Sequence, residues 1–156
     1  MGDPEFCEFL INRISESDLP AGIVNFEITE TVVIKNIGNA TALIAALRNL
    51  GCEIALDDFG SGLSSLTYLK ALDVDYLKID GSFVKGIVED DIDRLFVRST
   101  IEIANHLGLK TIAEYVENEA IRDTVATLGA DYAQGFGIHR PQELHSLLDV
   151  EYKKTA

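Results

Sequence analysis

Asp57 and Asp58 stand side by side in "EIALDDFGSG", residues 53–62, at the end of an apolar run and just ahead of two glycines. Adjacent carboxylates repel each other, and burying them costs free energy unless each finds a partner. Glu27, Lys78, Glu114 and Gln134 end other short apolar runs in the same way. Three or four carboxylates converging on one place require cations. Oxygen ligands in that number suit Mg²⁺ or Mn²⁺, and one shared carboxylate can bridge two such ions. Lys78 is then either a plain counter-ion for the acids or a cation that orients a nucleophilic water. So many anions hold a lysine protonated, which disfavours a Schiff base. A two-metal carboxylate site with a lysine suits phosphoryl chemistry. Taken alone, Asp-Asp-x-Gly also fits a solvated turn in which Asp58 caps a helix.

Three segments show what must position these residues. "LRNLGCEIALDD" (47–58), "ANHLGLKTIAEY" (104–115) and "VATLGADYAQGF" (125–136) each end a helix at Leu-Gly, run a short apolar strand, pass an alanine and stop on a polar residue. Gly51, Gly108 and Gly129 suit the left-handed position just past a helix. Helices are predicted over "FCEFLINRIS", "NATALIAALRNL" with Asn39 as its cap, "DIDRLFVRSTIEIANHL", "NEAIRDTVATL" capped by Asn118, and "PQELHSLLDVEYK". The core stripe of the third is read as Ile92, Leu95, Phe96, Ser99, Ile103 and Leu107. Two further strands fit "IVNFEIT" (23–29) and "VDYLKID" (74–80). Strict alternation implies parallel strands with helical crossovers, whose functional groups lie at the C-terminal strand ends. Every polar stop found above falls at such an end, so all should gather on one rim.

Neighbouring side chains of a strand point to opposite faces. Asp57 and Asp58 can share a site only where the pleat ends and a loop begins, which Gly60 and Gly62 permit. Glu30, three residues after Glu27, faces away from it if the strand continues, and by itself reads as a surface charge. His106, His139 and His145 have no ligand spacing, and Tyr68, Tyr76, Tyr132 and Tyr152 read as packing residues.

The 156 residues suffice for one domain with a core. Net charge is -13, which argues against DNA or RNA as a partner, since those require a basic face. Cys7 and Cys52 offer neither a zinc spacing nor a disulfide framework and read as reduced thiols. No apolar run approaches the roughly 20 residues that span a bilayer, and no signal peptide is legible. "MGDPEF" reads as a vector-derived scar, leaving residues 7–150 as the domain and 151–156 as a tail.

"FEITE", "ALDDFGSG", "DYLKID", "TIAEYVE" and "AQGFGIHRP" stand in the order and spacing of the EAL-domain family, which this chain resembles. The resemblance implies a partial TIM-like (β/α) barrel of the α/β class and hydrolysis of cyclic di-GMP to pGpG with Mg²⁺ or Mn²⁺. It implies that Glu27 is a metal ligand, Asp57 the bridge between both metals, and Asp58 the ligand of the second. It assigns Lys78 to the catalytic water, Glu114 to the second metal and to catalysis, and Gln134 to the site. Glu30 would pin the "DFGSG" loop, with Gly60 and Gly62, and Asp80 would assist Lys78. The family's Glu-Ala-Leu segment, with its metal-binding glutamate, is not found before "FEITE". The chain is therefore expected to be the C-terminal two-thirds of an EAL domain, with an incomplete two-metal site, little activity, and open sheet edges that favour a dimer or larger self-association. A cyclic di-GMP receptor or partner-binding regulatory module is the alternative. The implied setting is the bacterial cytoplasm, with a parent attached to a membrane through other domains. Two departures from the family pattern, Ser61 for threonine and Tyr115 for glycine, are expected to be tolerated.

Overall fold

The computed structural model describes residues 3–61, 66–143 and 145. Gly62, Tyr152, the tail, and all of the last expected helix except residues 141–143 and 145 lie outside them. The elements are α1 (Pro4–Ser15), β1 (Asn25–Thr29), α2 (Glu30–Lys35), α3 (Ile37–Asn49), β2 (Glu53–Phe59), α4 (Leu66–Leu69), β3 (Tyr76–Ile79), α5 (Gly81–Gly86), α6 (Asp91–Leu107), β4 (Lys110–Ala113), α7 (Glu119–Leu128) and β5 (Tyr132–Ala133). The strands form one parallel sheet in the order β1-β2-β3-β4-β5. The fold is α/β, as the alternation implies. Among the described residues β1 and β5 end the sheet.

Local chemistry sets the boundaries. Asp3 caps α1 by accepting from the amides of Glu5 and Phe6, and Pro4 opens the helix, where a missing N–H costs nothing. Residues 4–6, set aside above, thus form its first turn. Asp90 caps α6, and Gly108 ends it at φ 75°. Asn118 caps α7, and Gly129 ends it at φ 92°. The cap of α3 is Asn36 rather than Asn39, whose amide donates to the Asn36 side chain.

The stripe expected on α6 is partly met: Phe96, Ile103 and Leu107 pack at the edge of the core, but its first residues face out and its centre lies elsewhere. Ile92 is 72% exposed and Leu95 56%, while Val97, Thr100, Ile101 and Ala104 are buried. A row of smaller and β-branched residues lets the helix lie close on the sheet, with Phe96, Ile103 and Leu107 flanking it, so residue size alone marks the border of the buried face rather than its centre. β2 is buried at Ile54, Ala55 and Leu56 in succession, as a strand covered on both faces should be. The core gathers Ile44 and Leu47 of α3 around Ile54, Leu56 and Leu77. A second cluster places Val97, Ile101, Ile121 and Val125 around Ile79 and Ala113.

Candidate metal centre and active site

The paired aspartates share a site through a β-bulge. Leu56 pairs with Leu77 and Phe59 with Ile79, so Asp57 and Asp58 together oppose the single residue Lys78. The extra residue is accommodated because Asp58 takes φ 57°, a left-handed conformation that short polar side chains tolerate better than most. The strand does not end at Asp58, as the sequence suggests, but runs on to Phe59. Asp57, Asp58 and Glu114 then each offer an oxygen within 4.8 Å of the others.

Lys78 stands at the centre of this rim with its side chain only 3% exposed. Its Nζ lies 2.9 Å from Glu27 Oε2, 2.8 Å from Asp57 Oδ1 and 2.9 Å from Glu114 Oε1. Burial opposes its charge, but the ion pairs with Asp57, Glu27 and Glu114 outweigh it and raise the lysine above its ordinary value. It is firmly an ammonium. Burial pushes Glu114 up, partly offset by Lys78 and reinforced by Asp57 and Asp58. Burial also pushes Asp58 up, with repulsion from Asp57, Asp80 and Glu27 adding to it.

Four carboxylates around one ammonium leave a surplus of negative charge. Asp57 Oδ1 is buried and, although close to Lys78, accepts no hydrogen bond of proper geometry. A buried acceptor with a free lone pair beside two further carboxylate oxygens is the donor set of a hard divalent cation. The residues present fit such an ion.

Glu30 is no surface charge. It begins α2 rather than continuing β1, and it is 1% exposed. Its Oε2 accepts from the Gly60 amide at 3.0 Å, and its Oε1 accepts from the Tyr68 hydroxyl. It thereby ties the chain after β2 to the end of β1. Gly60 has φ 102°, and a Cβ there would lie 2.5 Å from Phe96 Cζ, so glycine is needed for backbone and space alike. Ser61 closes the turn, its hydroxyl donating to the Asp58 carbonyl at 2.9 Å. Asp80 caps α5 through the Ser82 amide at 2.7 Å, and Lys78 pairs instead with Glu27, Asp57 and Glu114.

Gln134 follows β5, its amide donating to Ala113 O at 2.8 Å and its carbonyl accepting from Val116 N at 3.0 Å. It lines a cavity of about 270 Å³ together with Glu114, Tyr115, Glu117, Gly135 and Phe136. Tyr115, Glu117 and Phe136 escape a search for polar strand ends because they lie in the loops beyond. The signal available for them is the departure from glycine at Tyr115, whose backbone is left-handed at φ 53°. His106 and His139 are exposed, as expected. Tyr76 packs near Tyr132, ring centroids 6.1 Å apart, but Tyr132 is half exposed. Cys7 and Cys52 are free thiols.

The EAL domain family model matches residues 1–141. This chain belongs to the EAL domain family. It is 43% identical over 146 residues to the cyclic di-GMP phosphodiesterase PdeB of Shewanella oneidensis, covering 94% of this chain and 17% of that protein. It is 41% identical over 139 residues to the cyclic di-GMP phosphodiesterase PdeA of Borreliella burgdorferi, covering 89% of this chain and 21% of that protein. Among solved structures, the EAL domain of Mycobacterium smegmatis DcpA superposes with a TM-score of 0.88 at 37% identity, over 98% of this chain and 68% of that one. The PaMucR phosphodiesterase in complex with c-di-GMP gives a TM-score of 0.86 at 31% identity, over 94% of this chain and 59% of that one. The chain thus spans about a fifth of these curated relatives. The five strands among its described residues form part of the TIM-barrel-like architecture of EAL domains. No helix among the described residues is long and apolar enough to cross a membrane.

Proposed function

We propose that this EAL domain acts in metal-dependent hydrolysis of cyclic di-GMP to linear pGpG. The observation that carries the reading is the rim itself: an ammonium held by Glu27, Asp57 and Glu114, beside three carboxylate oxygens within 4.8 Å of one another. Relatives named as cyclic di-GMP phosphodiesterases support the choice of substrate. Glu27, Asp57, Asp58 and Glu114 would hold Mg²⁺ or Mn²⁺. Bound there, the cations supply Lewis-acid polarisation of the phosphate and a lowered pKa for water.

The chain's own groups do the rest. A water oxygen forms a bond to phosphorus while the bond to the ribose 3′ oxygen breaks, and that oxygen leaves with a proton. Lys78 holds the attacking water by donating from Nζ, since an ammonium so firmly charged cannot serve as the base. Glu114, 2.9 Å from Lys78, and Asp58 beside it are placed to accept the water's proton and to return a proton to the leaving 3′ oxygen. Glu30 fixes the loop that follows the aspartates, so that their oxygens keep their positions. Gln134 borders the substrate cavity, and Asp80 supports Lys78 by fixing the helix that follows β3.

The sequence holds no Glu-Ala-Leu tripeptide, so the metal shell drawn from this chain alone is partial and turnover should be slow. The sheet that ends at β1 and β5 favours pairing between two copies. The test is pGpG formation from cyclic di-GMP with Mg²⁺ or Mn²⁺, by the chain alone and by the chain joined to a Glu-Ala-Leu-bearing segment of a relative. The joined protein should turn over, and Lys78→Ala should reduce its rate at least 100-fold. Binding without turnover in both proteins would overturn the reading in favour of a cyclic di-GMP receptor.

A further inference from the structure

The cavity beside Glu114 has a wall that this chemistry does not use. Tyr115 follows Glu114 directly, is 53% exposed, and keeps φ at 53°. A bulky residue is uncommon in that conformation and needs something to hold it there. α5 provides the hold. A Cβ on Gly81 would sit 2.1 Å from Tyr115 Cδ2 and 2.5 Å from Cγ, so the ring rests where residue 81 has no side chain. Lys85 Nζ lies 4.0 Å from the ring centroid. Gly81 and Lys85 are four residues apart and lie on one side of α5. The tyrosine ring therefore lies against that helix, and its remaining exposed surface borders the cavity.

The same cavity is lined by a second exposed ring. Phe136 is 60% exposed, with the Arg140 guanidinium carbon 5.0 Å from its centroid. Gly135 lies so close to Val116 that a Cβ would be 2.4 Å from the Val116 amide nitrogen. Two aromatic rings, Gly135, and the polar residues Gln134 and Glu117 line one cavity together with Glu114, a candidate metal ligand. Flat apolar faces with polar groups at their edges are what a nucleobase requires, since every base has a π face and a hydrogen-bonding edge.

We propose that Tyr115 is a specificity-determining residue whose exposed surface stacks on a purine base of the nucleotide. This rests on the phosphodiesterase reading for placing the phosphate at Glu114. A sugar phosphate without a base gains nothing from such a wall.

The test compares binding of GMP and ribose 5-phosphate to the full chain with Mg²⁺ present, by calorimetry. The wild-type chain and Tyr115→Phe should prefer GMP by about tenfold, the scale of one base–aromatic stack. Tyr115→Gly, which suits a left-handed backbone, should bind both alike. Gly81→Ala keeps the ring but drives it off α5, and should lose most of the preference. A wild-type preference retained in Tyr115→Gly, or no preference in the wild type, overturns the proposal. A preference for GMP that depends on Tyr115 in a chain that neither binds nor cleaves cyclic di-GMP upholds the stacking wall and removes the phosphodiesterase reading. Cleavage of cyclic di-GMP with unchanged KM in Tyr115→Gly does the reverse.

Discussion

The two ends of the sheet use acidic residues in opposite ways. At the N-terminal ends of the strands two half-buried aspartates each meet a basic side chain, although Arg48 is shared with Asp73, which is 74% exposed. Asp75 directly precedes β3, pairs with Arg48 at 2.5 Å, and accepts from the Ile54 amide of β2 at 2.8 Å. Asp131 directly precedes β5, pairs with Lys110 at 2.7 Å, and accepts from the Thr111 amide of β4 at 2.9 Å. It is the same device two strands apart, each aspartate tying the start of one strand to its neighbour. At the C-terminal ends, Glu27, Asp57 and Glu114 share one lysine, and Asp58 adds a fourth negative charge within its field. Matched acids stabilise the fold. A surplus of acids is an unmet demand for positive charge, and that difference, rather than the number of acids, marks the functional end.

The largest effect should come from removing the cation shared by Glu27, Asp57 and Glu114. Lys78→Met leaves its partners facing one another in a largely buried place. Loss of one partner from a buried ion pair costs about 3–5 kcal/mol. Urea unfolding should show a loss of that order, partly recovered by Mn²⁺, because a divalent ion can replace the missing charge. Lys110→Met, at the other end, removes a lysine whose side chain is 60% exposed, and should change stability far less. Equal losses at the two ends would break the comparison.

Asp131 gives the next effect, and its sign is set by pH. Burial pushes its carboxyl up, but Lys110 and the amide and hydroxyl of Thr111 outweigh this and hold it below the usual value. A native pKa lower than the unfolded one means that the stabilisation is complete above the ordinary aspartate value of about 3.9. It is lost as pH falls through the lowered native value. Asp131→Asn should cost about 2 kcal/mol near neutral pH, the scale of a hydrogen bond to a charged group. The gap between the two urea midpoints should then close on acidification from pH 5 downwards. A gap that stays constant with pH would mean that the charge of Asp131 contributes nothing.

The sequence exposes this contrast unevenly. The strand ends were legible because apolar runs stop on polar residues, so Glu27, Asp57, Asp58, Lys78 and Glu114 could be placed on one rim before any coordinates. The bounds of α6 were legible because Asp90 and Gly108 carry end signals that act through the backbone. The bulge was not, since it depends on the register of β2 against β3. Nor, from the residues alone, was the burial of Glu30, whose partners Gly60 and Tyr68 are 30 and 38 residues away; only the family resemblance set it against the loop. The matched aspartates at the other end also escaped notice, because each looks like an ordinary turn residue until its partner strand lies beside it. Local signals survive translation into sequence; pairings made by the fold do not.

The smallest effect has the opposite sign, and for that reason tests the comparison most sharply. Asp58 sits in a bulge at φ 57°, half-buried, with Asp57, Asp80 and Glu27 all repelling its charge. Asparagine tolerates the left-handed backbone at least as well, so Asp58→Asn keeps the shape and removes only the charge. In the absence of metal this should stabilise the chain by about 0.5 kcal/mol, the size of a relieved contact between partly exposed like charges. Removing a carboxylate ligand should at the same time weaken Mn²⁺ binding by at least tenfold, measured by calorimetry. The urea midpoint should therefore rise without Mn²⁺, and the added stability that Mn²⁺ gives the wild type should shrink, because a ligand stabilises only in proportion to its binding to the native state. Asp131→Asn lowers stability with or without the ion. If Asp58→Asn also lowers stability in metal-free buffer, Asp58 is already matched by something on the rim, and the surplus that distinguishes the two ends is smaller by one charge.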